Sequence, residues 1–336
     1  MPSLPRPVAV AALAALCAVA GPVAVPAHAD DADGFTFRDP RITESSGLAA
    51  SRAHPGVYWT HNDQDEPRVF AVDGRTGETV ATVTLRGVGK PRDMEAISVG
   101  PDGDVYVGDI GDNLGGGWSH VWIYRFPEPK DLRDQTVDAV QYTVTYEDGA
   151  RDAEALMVHP KTGRVYIASK NEDGGGLYEA PEKLSAQGKN VFRRIDEVPW
   201  VTDGAFSPDG TRLVLRGYFF ARAYEWIPAG RLGADERVRG PIQPQSEGVT
   251  YSLDGSSLLF STEGPGTRVT GVPVEGTPAA PSPTAAAGST GGSGASAGTD
   301  GSAGSGSTGL TLGAVALAAA VLFGARRLRR GGRGDG

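Results

Sequence analysis

The stretch Arg92-Asp93-Met94-Glu95-Ala96 decides the fold, because it returns almost unchanged as Arg151-Asp152-Ala153-Glu154-Ala155. Each copy is followed by a short apolar run, then by a turn rich in Pro and Gly, and then by a second apolar run. A phrase that recurs in this way is typical of repeat architectures, in which every copy forms one supersecondary unit. The chain is therefore predicted to consist of several similar units.

Three weaker copies extend the repeat to five units. They begin at Ser45-Ser46-Gly47-Leu48, Thr202-Asp203-Gly204-Ala205 and Ser246-Glu247-Gly248-Val249. Aligned on the turn, the five units share one polar position that recurs every 44 to 59 residues: Ser46, Glu95, Glu154, Asp203 and Glu247. Units of this length, each with several short strands, are typical of β-propeller blades.

The pattern of apolar runs predicts an all-β fold. The second run of each unit, such as Val105-Tyr106-Val107, is continuously apolar, as in strands that are buried on both faces. The last unit ends after its third strand, whereas residues 35–38 form an unpartnered strand before the first unit. We therefore predict a five-bladed β-propeller closed by this N-terminal strand, with a weak fourth strand of the fourth unit at 241–243. Six blades are the alternative if the longest unit hides irregular strands.

Both ends of the chain differ from the repeat. Residues 1–29 carry Arg6, an apolar core and Ala27-His28-Ala29, the pattern of a signal peptide with its cleavage site. The only cysteine, Cys17, lies inside this segment, so the exported chain would fold without disulfides. The propeller domain is then expected to span residues 30–276.

The C-terminal part is predicted to hold the protein at the cell surface. Residues 277–308 are rich in Pro, Ala, Ser, Thr and Gly and predict a disordered stalk. Residues 309–325 predict a transmembrane helix, although the uniformly apolar run 310–325 spans only about 24 Å, slightly less than a bilayer core. The arginine-rich tail 326–336 places the C-terminus in the cytoplasm. Cell-wall sorting is the alternative, but its Leu-Pro-x-Thr-Gly pentapeptide is missing.

The charge of the chain excludes some partners. The formal net charge is −9, and five arginines are concentrated in the tail, so the propeller domain is more acidic than the whole chain. An acidic surface disfavours nucleic acid and favours cations. A closed ring leaves no open sheet edge, so we expect a monomer.

The shared polar position, called the axial column here, would face the axis of a propeller. Converging carboxylates repel one another or raise their pKa values unless a cation neutralises them. Ca²⁺ accepts about six to eight oxygen ligands with loose geometry and suits such a site. Ser46, Glu95, Glu154, Asp203 and Glu247 are therefore candidate Ca²⁺ ligands. The alternative is a wet channel whose acids pair with Arg92 and Arg151 or cap turns.

The axial column resembles that of the calcium-activated nucleotidase (apyrase) family, secreted five-bladed propellers whose axial Ca²⁺ is held by alternating Ser and Glu. Ser46, Glu95, Glu154 and Glu247 match that family's ring, and Asp203 stands where the family has Ser. The R-D-x-E-A motif and the run Gly108-Asp109-Ile110-Gly111-Asp112-Asn113 more closely resemble secreted bacterial propellers to which no reaction is assigned. The resemblance implies the fold, export and an axial Ca²⁺.

Further polar residues are expected at the mouth of the channel on which the axial column opens. They are His61, Asp63, Arg92, Asp109, Asp112, Asn113, Arg151, Lys170, Arg216, Tyr218 and Glu263. Their Asp-, Asn- and Gly-rich loops fit either additional Ca²⁺ sites or ordinary turns. His61 beside Asp63 is a candidate base, and the cationic side chains beside Ca²⁺ would suit a phosphorylated substrate.

Two functions are compatible with these observations. The first is a cell-surface module that is stabilised by Ca²⁺ and binds an extracellular ligand or protein at its polar mouth. The second is a Ca²⁺-dependent phosphoester hydrolase, similar to phytases or nucleotidases. Fold alone does not choose between them, because propellers serve both enzymes and binding proteins.

Overall fold

The computed structural model describes residues 33–275, except 114, 172–173 and 229. In this part of the chain there are β-strands and no helix. The strands are β1 (Phe35–Thr36), β2 (Ser45–Ala50), β3 (Val57–Asn62), β4 (Arg68–Asp73), β5 (Thr79–Arg86), β6 (Met94–Val99), β7 (Asp104–Asp109), β8 (Val121–Pro127), β9 (Gln135–Asp138), β10 (Val140–Tyr146), β11 (Ala153–Val158), β12 (Val165–Ser169), β13 (Gly175–Glu179), β14 (Lys189–Val198), β15 (Asp203–Phe206), β16 (Arg212–Gly217), β17 (Phe220–Ile227), β18 (Arg231–Arg237), β19 (Ser246–Tyr251), β20 (Ser257–Thr262) and β21 (Arg268–Pro273).

The strands form antiparallel groups that follow the five sequence units. Strands β2 to β5, β15 to β18, and β19 to β21 with β1 each make one group. Strands β6, β7, β8 and β10 form another group, and β11 to β14 form one more. These last two groups are joined into one eight-stranded sheet, because β10 pairs in parallel with β14. The short strand β9 adds in parallel to the outer edge of β5.

The groups are arranged around an axis. The first strand of each group contacts the first strand of the next, in the order β2, β6, β11, β15 and β19. Contacts between β19 and β2 return the series to its start. This closed, all-β arrangement is consistent with a β-propeller.

The N-terminal strand completes the last group, in agreement with the sequence prediction. Phe35 pairs with Val269 and Thr36 with Arg268, so β1 lies antiparallel to β21. The buried rings of Phe35 and Phe37 pack edge-on at 5.6 Å. The first and last strands of the described chain are thereby held in one sheet.

Two outer strands were not foreseen. Residues 241–243, predicted as a strand, form a loop, and β18 supplies the fourth strand of its group instead. Pro241 has no N–H to donate to a sheet, whereas β18 is so polar and exposed that its sequence gives little indication of a strand. Strand β9 was missed for the same reason, since Gln135–Asp138 is short and only half-buried.

The core lies between neighbouring groups. Trp59, Val107 and Tyr124 come from three strands of the first two groups and share one buried cluster. Between the third and fourth groups, the Trp226 ring packs against Tyr166 at 4.9 Å and Phe206 at 4.8 Å. Strands such as β7 are apolar on both sides because each of their faces meets a neighbouring group.

The predicted export and anchoring segments, 1–29 and 277–336, lie outside the described residues, as do 30–32 and 276. Within the described ranges there is no helix with the length and apolar character needed to cross a membrane.

A buried carboxylate links the first two groups. Glu128, after β8, accepts hydrogen bonds from the Ser51 hydroxyl at 2.6 Å, the Trp59 indole N–H at 2.7 Å and the Ala53 amide at 2.9 Å. Since Trp59 is fully buried, its indole N–H cannot form a hydrogen bond with solvent if this acceptor is lost.

Glu128→Ala is therefore expected to lower the free energy of unfolding by about 2–4 kcal/mol, because it leaves several buried donors unsatisfied. Urea unfolding measures the change. Glu182→Ala, at an exposed loop position, is the control and should change stability by less than about 0.5 kcal/mol. Equal stability of the two variants would show that Glu128 does not link the groups energetically.

Candidate functional site

The axial column lies near the start of the first strand of each group. Its members, Ser46, Glu95, Glu154, Asp203 and Glu247, are all at most 2% exposed. At four of the five positions the pairing register with the second strand shifts: between Ser45 and Gly47, Met94 and Ala96, Ala153 and Ala155, and Ser246 and Val249. Each of these shifts skips the column residue. A β-bulge re-aims the side chain that it carries, so four column residues leave the regular pleat.

Asp203 is the exception, because the backbone of β15 pairs with that of β16 in regular register here, with Asp203 opposite Arg216. Its carboxylate accepts the backbone N–H of Gly204 at 2.7 Å and that of Val249 at 2.8 Å. Burial raises the pKa of Asp203 well above its ordinary value, although these hydrogen bonds and Arg216 oppose the rise. Asp203 thus ties β15 to β19.

The three glutamates of the column influence one another. Burial raises the pKa of Glu95 well above its ordinary value, and the charges of Glu154, Asp63 and Asp93 add to the rise. Burial also raises the pKa of Glu247, with further contributions from Glu154 and Glu263. Glu154 therefore acts on both of the other glutamates, and the axial column brings like charges together as predicted from its spacing.

Lys170 places a positive charge among these acids. Its ammonium forms an ion pair with Glu154 and donates to the Tyr218 hydroxyl at 3.2 Å. Burial disfavours the charged ammonium, but Glu154, Tyr218, Glu247 and Glu95 outweigh it and raise the pKa of Lys170 well above its ordinary value. The lysine therefore stays charged and neutralises one carboxylate of the column.

Glu247 is the least satisfied member of the column. Both of its carboxylate oxygens are buried, and neither has a hydrogen-bond partner in the described part of the chain. Lys170 and Arg216 are near enough to lower its pKa, but not enough to offset its burial. An unpartnered buried carboxylate is costly, so Glu247 is either protonated or faces a cation.

A second acidic cluster adjoins the column at Glu95. Asp63, Asp93 and Glu95 are all buried, and each offers a carboxylate oxygen within 4.8 Å of the others. Ligands of a Ca²⁺ ion at about 2.3–2.6 Å lie up to about 5 Å apart, so three such oxygens can share one ion. This trio, called the acidic corner here, fits a hard divalent cation.

Asp93 was not among the predicted site residues. Its place in the R-D-x-E-A motif, two residues before Glu95, was the available indication. The structure adds that Asn113 donates its amide to Asp93 at 2.6 Å and that Ser46 donates its hydroxyl to Glu95 at 2.7 Å. These neutral donors orient the two carboxylates without neutralising them.

Several predicted mouth residues are used by the loops themselves. Asp109 accepts from the backbone of Arg92 and Asp93 and from the Tyr124 hydroxyl, at 2.5 to 3.1 Å. Asp112 accepts the N–H of Trp118 at 2.6 Å. Both acids are fully buried and act as turn anchors.

His61 and Glu263 also lie near the column. His61 is fully buried at the end of β3, and burial lowers the pKa of its imidazole to about 4. The ring is therefore neutral at physiological pH, and it is closed to solvent in this structure. Glu263, after β20, accepts from the Gln245 amide at 3.0 Å and repels Glu247.

Three predicted cationic residues are engaged elsewhere. The Arg92 guanidinium lies over Trp118 at 4.1 Å and over Trp122 at 3.8 Å. Arg151 pairs with Asp148 at 2.7 Å. Arg216 donates to the backbone carbonyls of Gly248 and Ser261 at 2.6 Å each.

No protein-family model matches the chain, and no curated protein matches it. Among solved structures, it is similar to the PQQ-bound aldose sugar dehydrogenase of Streptomyces coelicolor, with 13% identity, a TM-score of 0.42, and 71% of this chain and 98% of that chain covered.

A nutrient-binding protein of Bacteroides thetaiotaomicron is similar at 12% identity and a TM-score of 0.40, with 71% of this chain and 59% of that chain covered. The hydrazine synthase of Kuenenia stuttgartiensis is similar at 13% identity and a TM-score of 0.37, with 65% of this chain and 61% of that chain covered. These scores are too low to carry an argument, so the fold rests on the strand pairing described above.

The raised pKa of Glu247 makes a prediction about stability. A carboxyl whose pKa is higher in the folded state than its ordinary 4.5 keeps its proton longer when folded, so stability falls as the pH rises from 4.5 towards the folded pKa. Glu247→Gln removes this titration. In EDTA, the variant should therefore gain stability relative to the wild type as the pH rises from about 5 to about 8.

Urea unfolding at a series of pH values measures this difference. Contributions of groups that do not interact with Glu247, such as His61, are common to both proteins and cancel in the subtraction. Parallel stability curves for the two proteins would show that Glu247 does not titrate with a raised pKa.

Proposed function

We propose that this chain is a five-bladed β-propeller that holds Ca²⁺ at its acidic centre and binds an extracellular ligand or protein at the adjoining mouth. The five antiparallel groups and the closed series of first strands support the number of blades. Residues 1–29 would export the protein, and residues 309–325 would anchor it in the plasma membrane with the propeller outside. These two segments rest on the sequence alone.

The acidic corner is the observation that carries the Ca²⁺ proposal. Three carboxylate oxygens from Asp63, Asp93 and Glu95 lie within 4.8 Å of one another among buried residues. Repulsion between two such charges is about 4 kcal/mol at 4 Å and an effective dielectric constant of 20. A divalent cation relieves this repulsion, and all-oxygen ligands favour Ca²⁺ over transition metals.

The residues of the axial column would contribute unequally to Ca²⁺ binding. Glu95 belongs to both the column and the corner, and Ser46 is hydrogen-bonded to it. Glu154 already has the Lys170 ammonium as its counter-charge, and Asp203 accepts backbone N–H groups. Glu247, whose two carboxylate oxygens have no hydrogen-bond partner among the described residues, is the column member best suited to bind a cation.

A binding role agrees with the state of the cationic residues. A phosphoester hydrolase needs positive side chains that are free to meet phosphoryl oxygens. Arg92, Arg151 and Arg216 are all directed to aromatic rings, an aspartate or backbone carbonyls. Exposed polar residues such as Gln64 and Asn113 cover the buried acids and offer a surface to a partner.

Ca²⁺ is expected to stabilise the protein. At a Ca²⁺ concentration of about one hundred times the Kd, binding to the folded state adds about 3 kcal/mol, which raises the melting temperature by roughly 5–10 °C. Glu95→Gln should abolish this shift, because Glu95 belongs to both acidic sets. Thermal unfolding with EDTA and with added Ca²⁺ measures it.

Matched variants locate the ion. Asp93→Asn should remove the Ca²⁺ shift if the acidic corner holds the ion, whereas the exposed control Glu182→Gln should keep the full shift. Loss of the Ca²⁺-induced melting shift in Glu247→Gln but not in Asp93→Asn would indicate that the ion binds at the axial column and not at the acidic corner. A wild-type melting temperature that does not respond to Ca²⁺ would end the proposal.

The hydrolase alternative has its own test. Purified protein in saturating Ca²⁺ is incubated with nucleotides, phytate and simple phosphomonoesters, and released phosphate is measured. A binding module should release no phosphate above the buffer blank. Turnover that disappears in Glu154→Gln, with folding unchanged, would instead establish an enzyme.

A further inference from the structure

A cavity of about 350 Å³ lies between the fourth and fifth groups of strands, and none of the described residues that line it belongs to the axial column or the acidic corner. Phe220 and Ala221 of β17 form one wall, and the loop of residues 238–242 forms another. Phe260 of β20 closes the base together with Arg216. This volume lies within the range of about 300–1,000 Å³ that is typical of small-molecule sites.

The lining of this cavity is positive, although the protein is acidic. It includes Arg216, Arg237 and Arg239, and none of the described residues that line it is acidic. Arg237 and Arg239 are exposed and form no ion pair within the described residues. Nearby arginines behave differently, since Arg212 pairs with Glu236 and Arg222 with Asp235. Among the described residues, two guanidinium groups beside the cavity therefore have no carboxylate partner.

The walls of the cavity are apolar. Phe219 is 53% exposed and Ile242 is 66% exposed, which makes them two of the most exposed large apolar side chains in the described chain. Gly240 packs so closely on Phe260 that an added Cβ would lie 3.1 Å from the ring. The glycine thus lets the loop of residues 238–242 pack directly on the fully buried Phe260 ring.

Arg216 extends the positive charge to the base. Its guanidinium lies 5.1 Å from the centre of the Phe260 ring while donating to two backbone carbonyls. Burial lowers the pKa of Arg216 to about 10, so it still carries its charge at neutral pH. The cavity therefore has a buried positive charge at its base, exposed aromatic and aliphatic side chains in its lining, and two exposed positive side chains beside them.

We propose that this cavity binds a small organic anion, a carboxylate or sulfonate carried on an aromatic or aliphatic body. The apolar body would lie on Phe219 and Ile242, the exposed apolar side chains of the lining, and the acid group would meet Arg237 and Arg239. This inference is independent of the Ca²⁺ proposal, because neither rim arginine takes part in the axial column or the acidic corner.

The experiment uses a pair of fluorescent probes, 8-anilinonaphthalene-1-sulfonate and the neutral N-phenyl-1-naphthylamine, with the same body and different charge. Titration of the wild-type protein should give one saturable site for the sulfonate. The double variant Arg237→Gln/Arg239→Gln should lower the affinity for the sulfonate probe by about five- to twentyfold. Its affinity for the neutral probe should change by less than about twofold. Ile242→Ser should lower the affinity for both probes, because it removes part of the apolar lining.

A matched control separates site binding from overall charge. Lys130→Gln/Arg133→Gln removes two exposed positive charges before β9 and should leave the affinity for the sulfonate unchanged. Melting temperatures confirm that each variant is folded. The proposal is overturned if the sulfonate binds the Arg237/Arg239 variant as tightly as the wild type, if the control variant loses as much affinity, or if Ile242→Ser leaves both probes unaffected.

Discussion

Mutual repulsion between buried carboxylates is the constraint on which the centre of this molecule depends. Four β-bulges aim Ser46, Glu95, Glu154 and Glu247 away from the regular pleat, and the closed series of first strands brings them together. Packing alone would expel such charges, since an unpaired buried carboxylate is strongly disfavoured. The fold tolerates them through a hydrogen bond from Ser46, an ion pair with Lys170, and pKa values raised by burial. A bound cation would complete the same compensation.

The two copies of the R-D-x-E-A motif share their backbone role but not their side-chain chemistry. In both, the glutamate occupies a bulge and points to the centre. The arginines differ: Arg92 lies between two tryptophans, whereas Arg151 pairs with a nearby aspartate. The motif thus lies at the start of the first strand of each of these two groups. The contacts of its arginine depend on the residues of the adjoining loops. A repeated phrase need not repeat a function.

Arg216 stands between two environments of opposite character. Burial lowers the pKa of Arg216, and the charges of Glu247 and Asp203 oppose that lowering. Its guanidinium also lies over the Phe260 ring at the base of the positive cavity. Among the described residues, it donates to two backbone carbonyls and to the side-chain oxygen of Gln243, and not to either acid. Arg216 therefore contacts both environments, although it forms no ion pair within the described residues.

The sequence by itself determined the repeat, the all-β class, the buried second strands and the convergence of Glu95, Glu154 and Glu247, because spacing and apolar runs are local properties of the chain. It also indicated the pairing of residues 35 and 36 with the last group. Only the tertiary structure decided how each column residue is used. Asp203 keeps regular register and accepts backbone N–H groups, Lys170 reaches Glu154 from another strand, and Asp63 meets Asp93 across two groups. These outcomes depend on bulges and on contacts between distant segments, and no periodicity in the chain encodes such contacts.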